Sequence, residues 1–115
     1  LIRKYGMRWS GAAPWHNYQT AENPRTVRMF QLIEDGRMDE AAAIYWQIDP
    51  LRKAVLSIAL PSAAMGMYNF EQWKYCDELL GFTGGELRMP KLTLFGWQRA
   101  QLRQAMIASG LQPKA

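Results

Sequence analysis

Residues 38–58 read MDEAAAIYWQIDPLRKAVLSI, and this stretch decides the fold of the chain. Its apolar residues recur in steps of four, three, four and three, at Ile44, Ile48, Leu51, Val55 and Ile58. This spacing predicts one continuous helix that buries a single face, with an apolar stripe of about four turns. The acids Asp39 and Glu40 at its start suit the positive end of the helix dipole. Pro50 removes one backbone hydrogen bond, so we expect the helix to bend there without ending.

Another helical pattern precedes this stretch. Asn23-Pro24 predicts its start, because asparagine is a favoured N-cap residue and proline suits the first helical position. Apolar residues then follow at helical spacing at Val27, Met29, Phe30, Leu32 and Ile33. Gly36 predicts its end, since glycine readily adopts the left-handed conformation that closes a helix. The two helices should therefore form an antiparallel hairpin joined at Gly36-Arg37.

The stretch is followed by two further helices in the prediction. Leu60-Pro61-Ser62 breaks the pattern, and Asn69 restarts it as an N-cap with Gln72 three residues later, a variant of the capping box. That helix should end at Gly81, and an irregular connection should fill residues 82–93. On spacing alone, Asn69 is a capping residue.

The last helix is expected from about Phe95 to Ser109, with Leu102, Met106 and Ile107 facing inward. One short strand is predicted over residues 7–13. The sequence thus predicts four helices, one possible strand and no internal repeat.

Composition and charge exclude several classes of protein. The chain has 115 residues, of which 49% are hydrophobic and 21% charged, as is usual for one globular domain. The net charge is +4, but all ten acids lie among six bases between residues 9 and 87. This mixing predicts a solvated surface and no nucleic-acid partner. No apolar run is long enough to span a bilayer, so no membrane partner is expected.

The sequence contains few residues of the types that catalyse reactions. His16 is the single histidine and Cys76 the single cysteine, 60 residues apart, so neither a zinc nor an iron site is predicted within the chain. Cys76 should be a small buried apolar residue, and one lone cysteine suggests a reducing, cytoplasmic location. Thr83-Gly84-Gly85 lacks the Lys-Ser/Thr of a phosphate-binding loop and predicts a turn. The serines have no evident base partner.

The order of several short motifs nevertheless resembles the C-terminal part of the dihydrodipicolinate synthase and N-acetylneuraminate lyase family over residues 22–112. The motifs that carry the resemblance are Asn23-Pro24, the run from Gly36 to Ala41, Pro50-Leu51, Lys74, Leu79-Leu80-Gly81, Gly84-Gly85, Arg88-Met89-Pro90 and Leu111. The sequence departs from the family at Arg37, where an aspartate is usual. Residues 59–73 also lack the usual Asn-Pro-x-Pro-Val segment.

The resemblance implies an α/β fold, a (β/α)₈ barrel of roughly 250 residues or more, of which this mostly helical chain is the C-terminal segment. Residues 1–21 would then be the end of the barrel, residues 22–36 its last helix, and residues 37–115 a C-terminal helical extension. The family's Schiff-base lysine, which binds pyruvate, and its supporting tyrosine lie on earlier strands. Lys74 is not a credible substitute, and the chain alone is expected to be inactive.

The run Tyr-Asn-Phe-Glu-Gln-Trp-Lys-Tyr at residues 68–75 is similar to the aromatic hydratase-aldolase branch of the family. In that branch a late asparagine enters the active site, and Asn69 is the matching position. A tryptophan also lines the pocket, which leaves Trp9 or Trp15 as candidates, with Tyr68 beside them as a substrate-binding residue. The implied ligands are pyruvate and an aromatic aldehyde, without a cofactor or metal. The implied partners are the rest of the barrel and further copies in a cytoplasmic homotetramer.

Two alternatives stay open. One is dihydrodipicolinate synthase proper, with aspartate semialdehyde as the second substrate, against which the aromatic run at residues 65–75 argues. The other belongs to a different class, a non-enzymatic helical interaction domain that folds alone.

Overall fold

The computed structural model describes residues 2–7, 15–90 and 93–114, and in these residues the chain is mostly α-helical without a β-strand. This confirms the predicted helical character. The helices are α1 Ile2–Tyr5, a 3₁₀ helix Trp15–Tyr18, α2 Arg25–Glu34, α3 Met38–Gln47, α4 Asp49–Ala64, α5 Phe70–Leu80 and α6 Gly96–Ala108. The strand predicted over residues 7–13 lies outside the described residues except for Met7, which is in neither helix nor strand.

The α2–α3 hairpin forms as predicted. Gly36 has a φ of +78°, the left-handed conformation that glycine adopts without strain. The hairpin has its own small core, in which buried Met29, Leu32 and Ala41 pack together. Val27 was expected on this face but is exposed, because the buried stripe of α2 runs through Met29 and Leu32.

Asn23 does not cap α2, which corrects the sequence prediction. Pro24 occupies the N-cap position, and no side chain of the cap residue bonds to the helix. Gln19 takes over this task from the preceding loop, because its Oε1 accepts hydrogen bonds from the Thr26 hydroxyl and, at 3.4 Å, from the Val27 backbone N–H. A residue outside the helix therefore satisfies one of the backbone donors that the N-cap would otherwise bind.

The stretch at residues 38–58 forms two helices, and the prediction of one bent helix was wrong. α3 ends at Gln47 and α4 begins at Asp49. Pro50 falls in the first turn of α4, where its missing N–H is not needed. The Ser109 hydroxyl accepts a hydrogen bond of 3.0 Å from the Leu51 N–H, and so caps α4 from a distant part of the chain.

Burial of the stripe itself follows the prediction. Ile48, Leu51, Val55 and Ile58 all lie in the main core. Ile44 is instead half-buried against the small core of the α2–α3 hairpin. The predicted break at Leu60-Pro61-Ser62 was also wrong, since α4 continues to Ala64. Pro61 lies in the last turn on an exposed face, where only one hydrogen bond is lost.

Helices α4 and α6 form an antiparallel pair. Leu51 is bonded to Ser109 at one end, and the Gln101 amide donates to the Ser57 hydroxyl at 3.2 Å nearer the other end. The core between them contains Leu102 and Met106 as predicted, but Ile107 is 60% exposed, contrary to the prediction. Ser109 and Leu111 occupy the inward positions at that end of α6 instead.

Arg25 fastens the hairpin to the main core. Its side chain is only 3% exposed, and its Nε donates to the Tyr18 carbonyl at 2.7 Å. Its Nη1 donates to the Ser109 carbonyl at the end of α6. The 3₁₀ helix, the start of α2 and the end of α6 therefore meet at one buried guanidinium group.

α5 spans the residues that the sequence predicted and ends at Gly81, which has a φ of +85°. The capping box at its start does not form. Asn69 occupies the N-cap position but its side chain makes no capping bond, and Gln72 is fully buried on the core side of the helix.

In the part of the chain that the structure describes, no helix is long and apolar enough to cross a membrane.

Candidate functional site

Asn69 lies in the turn between α4 and α5. It is only 5% exposed, and its Nδ2 donates a hydrogen bond of 3.2 Å to the Ile58 carbonyl. This bond crosses from the start of α5 to the middle of α4 and fixes the orientation of the amide. The side chain thus ties two helices together, a role that the local sequence pattern did not predict.

Exposed aromatic side chains surround this turn. Tyr68 and Phe70 lie with ring centroids 5.6 Å apart, and Phe70 meets Trp73 edge-on at 5.2 Å. Tyr68 and Phe70 are largely exposed, as are Met65 and Met67 just before them. The structure therefore places buried Asn69 at the centre of an apolar, aromatic surface.

Trp15 has a different environment. It is half-buried in the 3₁₀ helix and meets Phe30 edge-on at 5.5 Å and Tyr18 at 6.1 Å. It packs against both the main core and the small core, and so joins them. Its buried Nε1 has no hydrogen-bond partner among the described residues. Trp9, the other candidate, lies outside the described residues.

The structure does not bring Asn69 and Trp15 to one site. The 3₁₀ helix contacts the far end of α5, where the Asn17 Nδ2 donates to the Asp77 carboxylate at 2.7 Å. Asn69 precedes Asp77 by eight residues, which is about 12 Å along a helix axis. Tyr68 lies beside Asn69, so these two candidates remain together.

A polar cluster at the end of α5 was missed by sequence reasoning. Asp77 Oδ1 accepts from Asn17 and lies 3.0 Å from His16 Nε2, while the His16 ring meets Phe82 edge-on at 6.4 Å. The sequence separation of 60 residues between Asn17 and Asp77 leaves no local pattern for this contact. Among the described residues, no group of three histidine, cysteine or acidic side chains is placed to hold a metal ion.

Cys76 is fully buried in the main core, as predicted. Burial raises the pKa of its thiol to about 12, and the nearby Asp77 carboxylate adds to this effect. Burial also raises the pKa of the Tyr18 hydroxyl to about 12, with a further contribution from Cys76. Both groups stay neutral near pH 7, so Cys76 has no nucleophilic thiolate to offer.

Four lysines lie among the described residues. Lys4, Lys53 and Lys114 are exposed and Lys74 is half-buried. No family model, curated protein or solved structure matches the chain.

Proposed function

We propose that this chain is the C-terminal helical section of a class I, pyruvate-dependent aldolase or lyase, closest to the aromatic hydratase-aldolases. The Schiff-base lysine would lie on a barrel strand outside the chain. There its amine would condense with the pyruvate carbonyl, with loss of water, and the resulting enamine would form or cleave a carbon–carbon bond. The chain itself would complete the fold and contribute one side of the pocket.

The observation that supports this proposal is the agreement between the motif order and the ends of the helices. Gly36 follows the end of α2 and Gly81 ends α5. Arg88-Met89-Pro90 falls in the connection before α6. The residue type at the end of a helix is selected by the backbone conformation there. Proteins of one family share that backbone conformation, so they share these residues.

The departure at Arg37 has a local explanation. The Arg37 guanidinium makes two hydrogen bonds of 2.6 Å to the Glu40 carboxylate, three residues further on. An aspartate at this position would act as the N-cap of α3, and here no side chain of residue 37 caps the helix. The ion pair with Glu40 holds the first turn of α3 in place of that cap.

Asn69 would act in the pocket through its Oδ1. Because Nδ2 is bonded to the Ile58 carbonyl, the amide orientation is fixed and Oδ1 would accept a hydrogen bond from a substrate hydroxyl or an attacking water. Tyr68 would lie at the edge of the same pocket. The packing of Trp15 between the two cores favours Trp9 as the tryptophan that contacts an aryl ring.

Replacing Asn69 separates this role from a structural one. We expect Asn69→Ala in the whole enzyme to lower kcat at least about tenfold, because the substrate hydroxyl or attacking water would lose its hydrogen-bond acceptor. Asn69→Ala should lose stability as well, by about 1 kcal/mol, because the hydrogen bond from Nδ2 to the Ile58 carbonyl is lost. An Asn69→Ala enzyme with unchanged kcat and reduced stability would assign Asn69 to the fold alone.

The second candidate, a helical interaction domain, is favoured by the exposed apolar residues at the α4–α5 turn. A self-sufficient domain should unfold cooperatively as an isolated chain, with coincident transitions by fluorescence and circular dichroism. The section of a larger enzyme should instead associate through its uncovered apolar surface at low concentration. Coincident unfolding transitions of the isolated chain would favour the interaction domain, and transitions that do not coincide would favour the section of a larger enzyme.

A further inference from the structure

The two halves of α5 are held to the rest of the molecule by different kinds of contact. In the second half, Leu79 and Leu80 lie in the main core. Asp77 accepts a hydrogen bond of 2.7 Å from Asn17 of the 3₁₀ helix, and the Lys114 N–H donates to the Leu79 carbonyl at 2.7 Å. Apolar burial and hydrogen bonds from distant parts of the chain therefore anchor this half.

The first half, residues 69–76, has a polar inner face. Its buried residues are Asn69, Gln72 and Cys76, with no large aliphatic side chain among them. The Asn69 amide donates to the Ile58 carbonyl of α4 at 3.2 Å, and its side chain does not cap the first turn of α5. Because buried polar groups stabilise a contact less than buried aliphatic ones, the first half is attached more weakly than the second.

Gln72 is the least favourable group on this inner face. Its side chain is fully buried, and neither Nε2 nor Oε1 has a hydrogen-bond partner among the described residues. The amide interacts with the Cys76 thiol one turn further on, but a thiol is only a weak hydrogen-bonding group. Burying an amide without partners favours any state in which water reaches it. Opening of the first half would therefore remove a cost that the closed state carries.

The contacts of the aromatic side chains do not prevent such an opening. Tyr75 is half-buried against the main core, and the Arg99 guanidinium lies 5.1 Å from the centre of its ring. A cation–π contact in a partly exposed position is weak. Phe70 and Trp73 meet edge-on within the first half itself, so this contact can move with it.

From these contacts we propose that the first half of α5 is a lid that opens away from α4 while the second half stays anchored. Opening breaks the bond between Asn69 and Ile58 and admits water to the Gln72 amide. It also exposes the Cys76 thiol, which is buried in the main core when the lid is closed. The lid goes beyond the proposed aldolase function and does not rest on it.

Alkylation of Cys76 in the folded protein tests the proposal. The whole protein is incubated with iodoacetamide at a series of urea concentrations below the unfolding transition, and modification of the peptide that contains Cys76 is measured by mass spectrometry. The rate should be nearly independent of urea, because a local opening exposes little surface. A rate that rises with the urea dependence of global unfolding, or no modification before the transition, would overturn the proposal.

Gln72→Met tests the origin of the opening. Methionine has a similar length and shape but no amide to desolvate, so the closed state should gain stability. Cys76 should then be alkylated at least about tenfold more slowly. Gln104→Met is the matched control, because Gln104 is exposed on α6, and its rate should not change. Equal rates in the two variants would refute the role given to Gln72.

Hydrogen exchange of the unaltered protein keeps the proposal testable if Gln72→Met does not fold. The amides of Tyr75 and Cys76, which lie beyond the first turn, should exchange at least about tenfold faster than those of Leu79 and Leu80. Equal protection of the two halves would contradict the lid. None of these measurements involves pyruvate, so the lid and the proposed reaction fail separately.

Discussion

At the scale of single residues, the clearest roles belong to buried polar groups that stabilise the fold. Arg25 donates hydrogen bonds to two backbone carbonyls and forms no ion pair with a described carboxylate. Burial accordingly lowers its pKa from the ordinary value of an arginine. The energetic role of such a group is to satisfy acceptors that would otherwise be buried alone.

Arg25→Met should lower the free energy of unfolding by about 3 kcal/mol, because the Tyr18 and Ser109 carbonyls would each lose a buried donor. Urea denaturation followed by circular dichroism measures this change. Arg28→Met is the control, since Arg28 lies exposed on the same helix and should change stability little. Equal effects of the two substitutions would contradict the role assigned to Arg25.

Cys76 and Tyr18 predict a loss of stability at alkaline pH. Their folded pKa values of about 12 lie above the ordinary values of 9.0 and 10.0, so the unfolded chain releases these protons first. The free energy of unfolding should therefore be highest below pH 9 and fall as pH rises above 9. The fall should be steeper above pH 10 and should level off near pH 12. The slope is roughly 1.4 kcal/mol per pH unit for each group.

Tyr18→Phe should remove the part of this decline that begins near pH 10 and leave the part that begins near pH 9. Urea denaturation at a series of pH values measures both. A decline with the same slope in the variant would rule out Tyr18 as one of its sources.

At the scale of helices and turns, glycine positions determine how closely the elements approach. Gly84→Ala should destabilise the chain by about 2 kcal/mol, because the new Cβ would collide with the Lys74 carbonyl, which cannot move without distorting α5. Gly96→Ala is the matched control: nothing lies within 4 Å of its Cβ position, and alanine favours the helix. Thermal unfolding of both variants tests this, and an equal loss in both would refute the close-contact explanation.

The sequence predicts these helices where the signal is local and misses features that depend on distant residues. Gly36 and Gly81 end helices as expected, because a left-handed residue is a property of the turn itself. The break at Ile48 escapes prediction because Ser109 caps the new helix from 58 residues away. The bond between Asn69 and Ile58 escapes it for a different reason, because the local spacing of Asn69 and Gln72 indicates a capping box instead.

At the scale of the whole molecule, two packed cores coexist with a large exposed apolar surface. Leu60, Met65, Met67, Tyr68 and Phe70 are exposed around the α4–α5 turn. Trp97 is also exposed, in the first turn of α6. Because α4 and α6 are antiparallel, this turn lies beside the last turn of α4. Exposed patches of this kind mark interaction surfaces in soluble proteins. In the proposed enzyme this surface would face the barrel and its pocket.

The proposed pyruvate chemistry rests on the resemblance of the motif order, and one measurement tests it most directly. The whole protein is incubated with pyruvate and sodium borohydride, digested, and analysed by mass spectrometry. Reduction of a Schiff base would leave a stable pyruvate-derived group on one lysine, and we predict that lysine to lie outside residues 1–115. Absence of any adduct, or an adduct confined to a lysine within residues 1–115, would contradict the account.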